Sequence, residues 1–230
     1  MATVTASKAW VSGETVTPEG LNLTAAPTVV VADNEITTAK ILDANVTAAK
    51  LASNAVETAK ILDANVTAAK LAQPYTLRAA QASTSGTFID FTAIPSWVKR
   101  ITVMLDAVSF AGTDHMLIQI GSGSLTTSGY ASWSTFLLGT TTTAGAIFSG
   151  AGFVVYMGAA ANIVTGTFVL NLVGSNTWLG QGIGVYNNTG AQMFAAGKVA
   201  LSGALDRVRI THSGASDTFD AGAISISYEG

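Results

Sequence analysis

The sequence predicts a mainly β protein, with a C-terminal antiparallel β-sandwich of jelly-roll type behind a decapeptide-repeat trimeric shaft with short helical turns. Three observations predict it. Residues 73–230 carry many short apolar runs separated by Gly, Ser, Thr and Asn. Several of those runs alternate with a period of two. Residues 35–72 repeat in tens, and "TAKILDANVTAAKLA" at 38–52 returns unchanged at 58–72.

In the C-terminal region the strand signals are "YTLRAAQ", "TFIDFTA", "WVKRITVMLDAVSF", "HMLIQIG", "GFVVYMG", "TFVLNLVG", "TWLGQGIGVY", "VALSG", "DRVRITH" and "AISISYE". Phe168, Leu170 and Leu172 fall on one face of a strand. Ile224, Ile226 and Tyr228 do the same, with Ser225 and Ser227 pointing the other way. Helical periods are absent, and many short strands imply a sandwich or barrel.

The repeat has its own logic. Its large apolar residues, Ile36, Ile41, Val46, Leu51, Val56, Ile61, Val66 and Leu71, are spaced by five. Five residues of α-helix turn about 500°, so successive apolar positions land about 140° apart and no stripe forms. A coiled coil needs a spacing near 3.5, and an odd spacing throws alternate residues onto opposite faces of a strand. A mixed unit fits: Asn45 or Asn65 caps a short helical turn over "VTAAK", and "LDA" extends or turns. One apolar residue in five finds no cover in its own chain. Three parallel chains in register would provide it, each level placing three equivalent side chains on a common axis while Lys40, Lys50, Lys60 and Lys70 face water. The sequence thus divides into an extended segment (1–32), the shaft (33–72) and the head (73–230).

Composition excludes several function classes. A net charge of -3 gives no footprint for nucleic acid. Without cysteine there is no disulfide and no thiolate chemistry. The opening "MATVTASKAWVSGE" lacks the apolar core of a secretory signal, and Gly and Ser interrupt the uncharged run at 144–164 too often for a membrane helix. No Asp, Glu, Lys or Arg stands between His115 and Lys198.

With two histidines, no nucleophile elbow, zinc-protease or phosphate-loop motif occurs, so no catalytic residue, cofactor or metal is expected. "GQGIG" at 180–184 reads as a turn. Asp114 with His115, and Asp217 with Asp220, read as turn residues at strand ends, and Arg207 and Arg209 as an exposed strand face. The better lead is aromatic residues beside polar turns: Tyr130, Trp133, Trp178, Tyr186 and Asn187. A ring platform flanked by amides and hydroxyls suits a neutral saccharide.

These residues carry a resemblance. The decapeptide "ILDANVTAAKLA" resembles the shaft repeats of bacteriophage tail fibre proteins, and "KAWVSGETVTPEGLN" is similar to their virion-attachment leader. "GTFIDFTAIPSWVKRITVML" and "DRVRITHSGASDTFDAGAISISYE" resemble their distal head. The resemblance implies a homotrimer on the particle surface, made in the host cytoplasm. Its N-terminus, with Trp10, Val11, Val29, Val30 and Val31, would dock on a tail or baseplate protein and order only there. Its head would bind a host-surface glycan or outer-membrane protein, without membrane insertion and without chemistry. A capsid head-fibre or decoration protein is the alternative. A depolymerase tailspike would need carboxylates facing a cleft, which the uncharged stretch hardly supplies.

Overall fold

Strands form where one side chain in two can be buried, and in the C-terminal region nearly every apolar run does so. The computed structural model describes residues 3–5, 12, 13, 15, 28–30, 36–42, 44–53, 55, 56, 61, 66, 70, 73–138, 144–214 and 216–230. These residues are mainly β, with antiparallel pairing and almost no helix, and they divide into two units, Met1–Asn65 and Val66–Gly230.

In the first unit, β1 (Thr3–Thr5) pairs antiparallel with β2 (Thr28–Val30), Val4 opposite Val29. That corrects the expectation of a leader without structure of its own at these six residues; Trp10, Val11 and Val31 lie outside the described residues. The repeat makes 3-10 turns at Thr38–Lys40 and Ala48–Lys50, each closed by a lysine N–H donating to the carbonyl three residues earlier at 2.9 Å. The turns therefore recur with the ten-residue period. Asn45 is not the cap: Thr47 precedes the second turn, without a side-chain cap bond, and the Asn45 carbonyl accepts from Lys50 Nζ at 2.6 Å. Asn65 and Leu71 lie outside the described residues.

The second unit is sandwich-like. Its strands are β3 (Thr76–Leu77), β4 (Gln81–Ala82), β5 (Phe88–Phe91), β6 (Arg100–Phe110), β7 (Met116–Ser122), β8 (Ser124–Leu125), β9 (Ala131–Leu137), β10 (Ala144–Ser149), β11 (Phe153–Val155), β12 (Val164–Gly174), β13 (Thr177–Tyr186), β14 (Gln192–Ala200), β15 (Arg207–His212) and β16 (Phe219–Glu229). Among the described residues, a nine-stranded sheet runs β10-β9-β14-β13-β12-β6-β16-β3, with β4 also on β16. A five-stranded sheet runs β11-β7-β15-β5, with β8 on β7. The chain crosses between sheets repeatedly, as at β5 to β6 and β6 to β7.

One core fills the space between the sheets. The large sheet supplies Ile101, Val103, Phe168, Leu170, Ile224 and Ile226; the small one supplies Ile118, Ile120, Phe153, Val208 and Ile210, all fully buried. Each such side chain contributes about 1.5–3 kcal/mol by leaving water. The "GQGIG" stretch lies inside β13 and is not a turn. Its glycines leave room for rings: a Cβ on Gly182 would stand 2.5 Å from Phe168 Cδ2, and one on Gly180 would stand 2.6 Å from the same ring. The apolar run at 144–164 becomes β10, β11 and the start of β12, and no helix among the described residues is long and apolar enough to cross a membrane.

Serines seam the sheets together. Ser132 and Ser134 point inward from β9, and their hydroxyls accept the Val154 and Tyr156 N–H groups at 2.9 and 3.0 Å. The short edge strand β11 is thereby satisfied without another strand beside it.

Candidate functional site

Three of the five predicted surface residues are in the core. Tyr130, Trp178 and Tyr186 are 3%, 1% and 0% exposed, so none of them presents a ring to a ligand. The Tyr130 hydroxyl accepts the Ile120 N–H at 2.8 Å, its ring meets Phe153 edge-on, and burial pushes its phenol up to about 12. Tyr186 donates its hydroxyl to the Tyr156 carbonyl, and burial raises its pKa also. Among the described residues, the buried Trp178 indole N–H has no hydrogen-bond partner. The reason is strand parity. In β13, Trp178, Gly180, Gly182, Gly184 and Tyr186 face the core, while Leu179, Gln181, Ile183 and Val185 face outward. Trp133 and Asn187 remain exposed.

Trp133 is not on a loop but on β9, and it leads to a feature the sequence reading missed. The strand registers place Phe148, Trp133, Ala196, Gln181 and Val169 side by side across β10, β9, β14, β13 and β12. The next row is Thr135, Phe194, Ile183 and Thr167. All stand on the outer face of the large sheet, opposite the core. Trp133 and Phe148 pack ring to ring at 5.3 Å. The small residue Ala196 between larger neighbours leaves a groove of about 490 Å³, lined by Trp133, Thr135, Val169, Gln181, Ile183 and Phe194 among others. None of these side chains is charged. The signal that could have found this face was the outward set of β13, Leu179, Ile183 and Val185, which is as apolar as the inward set.

Farther along the same face the chemistry changes. Beyond β12 it carries Thr102, Ser225 and the Arg100–Glu229 ion pair at 3.0 Å.

Several ionisable groups of the second unit are hydrogen-bonded within it. His212 Nδ1 meets Asp114 Oδ2 at 2.8 Å, with the His212 side chain only 4% exposed. The Asp114 N–H donates to Asp217 Oδ2 at 2.8 Å, and Ser109 Oγ bonds Asp220 Oδ1. The Asp114 bonds tie the residues before β7 to the end of β15 and the turn after it, and the Ser109 bond ties β6 to β16. His115 Nδ1 accepts the Met157 N–H at 3.0 Å; burial lowers its pKa, and the Asp114 charge opposes that in part. Among the described residues, no group of three His, Asp or Glu side chains is arranged to hold a metal. The arginines are paired rather than freely exposed. Arg209 grips Asp90 with two bonds at 2.7 and 2.6 Å and lies over the Phe88 ring. Arg207 bonds Asp206 and holds that carboxyl below its usual range.

In the repeat, the described members of the apolar series, Ile36, Ile41, Val46, Leu51, Val56, Ile61 and Val66, are 41–57% exposed. No protein-family model, curated protein or solved structure matches the chain.

Proposed function

We propose that this protein is a non-enzymatic structural fibre of a phage virion. In this reading it is a parallel homotrimer whose shaft axis is lined by Ile36, Ile41, Val46, Leu51, Val56, Ile61, Val66 and Leu71. The observation that carries the reading is the apolar series itself: recurring turns present one large apolar residue every five, and the described ones stand open to water in the single chain. Burial against identical copies offsets that exposure. The repeated crossing between two antiparallel sheets supports a jelly-roll-like head.

The N-terminal segment 1–32 docks on the particle, on a tail or baseplate protein, and the head engages a glycan or outer-membrane protein of the host. Of the aromatic and amide contacts, Asn187 in the turn after β13 and Trp133 on β9 are the two with exposed side chains. Modest affinity at one head suffices, because three heads per fibre and several fibres per particle act together. Removing residues 1–32 leaves the oligomer intact and abolishes incorporation into particles. Purified protein added to host cells lowers adsorption of particles that carry it. Unchanged adsorption at saturating protein contradicts the receptor role, and normal incorporation of the truncated chain contradicts the docking role. A head-fibre on the capsid is the second reading; antibody labelling of particles in the electron microscope separates tail from shell.

A further inference from the structure

Six large apolar residues, Trp133, Phe148, Leu179, Ile183, Val185 and Phe194, stand 39–58% exposed on one side of one sheet. Together they offer on the order of 600 Å² of apolar side chain, at the upper end of what a monomer ordinarily leaves open. We propose that this outer face is where the heads of two further copies of the same chain pack in the trimer. The inference rests on the homotrimer reading above.

Charge favours an identical partner. A surface that meets its own copy must avoid setting like charges against each other, and β9, β10, β12 and β13 lie in the stretch between His115 and Lys198, which contains no Asp, Glu, Lys or Arg; the one charged side chain on these strands and β14 is Lys198, outward near the end of β14 opposite Leu179. Where the face leaves that stretch, at β6 and β16, it turns polar and carries the Arg100–Glu229 pair. The apolar region is also divided. Phe148, Trp133 and Phe194 give β10, β9 and β14 an aromatic side, while Leu179, Ile183 and Val185 give β13 an aliphatic one. In a threefold ring each copy touches its two neighbours through different patches, so the aromatic side of one head meets the aliphatic side of the next. Trp133 is then an interface residue rather than a receptor contact.

The absence of cysteine makes a clean test possible. Full-length chains carrying Ala196→Cys or Ile183→Cys are compared with Ser202→Cys, on an exposed loop, for the rate of reaction with a soluble maleimide. Each rate is taken relative to the same chain unfolded in urea, and the native mass is measured by light scattering. The expected result is a trimer in which both face thiols react at least about 20-fold more slowly than when unfolded, while the Ser202→Cys thiol is slowed no more than about threefold. Face thiols as reactive as the loop thiol within a trimer overturn this inference and leave the trimer reading standing. The same reactivity accompanied by loss of cell adsorption on labelling assigns the groove to the receptor, which also overturns it. A single-chain mass for the cysteine-free protein overturns the trimer reading itself.

Discussion

The outer face of the large sheet has two halves that differ in kind. From β10 to β13 it presents Phe148, Trp133, Phe194 and Ile183; from β6 to β16 it presents Thr102, Ser225, Arg100 and Glu229 around one apolar side chain, Met104. Both halves lie in front of the same core, and both strand sets pair without interruption from β10 to β3. The requirements of the sandwich itself therefore do not explain the difference. The core needs apolar residues only behind the sheet, and the second half shows that the strands form equally well with a polar front. An apolar front is an additional feature, which in the proposed trimer is covered by further copies of the chain.

Substitutions at matched positions break or sharpen this contrast. The largest effect falls behind the sheet: Phe168→Ala, beneath Gly180 and Gly182, costs about 3–5 kcal/mol, read as a lower urea midpoint whatever the oligomeric state. In front, Ile183→Asp costs about 2–3 kcal/mol because a carboxylate is placed among apolar neighbours of another copy. Its partner experiment, Thr102→Asp in the polar half, changes stability by no more than about 0.5 kcal/mol. Equal costs for Ile183→Asp and Thr102→Asp would show that the two halves face the same solvent.

A smaller effect comes from His115. Its folded pKa lies below the unfolded value, so the unfolded chain binds more protons in between. The stabilisation is thus complete above about pH 6.5 and falls as the pH drops through that value toward the folded pKa. Protonation of Nδ1 also removes the acceptor for the Met157 N–H. The urea midpoint declines from pH 7.5 to pH 5.5, and His115→Gln reduces the decline; an unaltered decline in the variant assigns it to other groups.

Much of the sandwich was legible because β6, β12, β15 and β16 combine branched apolar residues with strict alternation. β9, β10 and the first half of β14 were not. Their inward positions mix Phe136 and Met193 with the small residues Ser132, Ser134 and Ala195, which sequence patterning scores as turn or linker, and the role of the two serines as acceptors for β11 and the residue after it appears only when the sheets meet. The site was less legible than the fold. In "TWLGQGIGVY" both faces are apolar, so alternation alone does not say whether Trp178 or Leu179 points at the core, and a one-residue slip exchanges them. The glycines settle it, since Gly180 and Gly182 are where the Phe153 and Phe168 rings need space. In the repeat, spacing gave the period and exposure of the apolar series, while the capping role expected of Asn45 fell to a turn that begins at Thr47 without a side-chain cap.

In the proposed fibre, association of identical chains covers the described apolar residues of the repeat and the front of β13, which lack cover within one chain. Light scattering of the purified full-length protein, at concentrations from micromolar downward, tests this most directly. A mass of three times the 23.4 kDa chain, unchanged on dilution, is the predicted result; a mass of one chain at every concentration contradicts it.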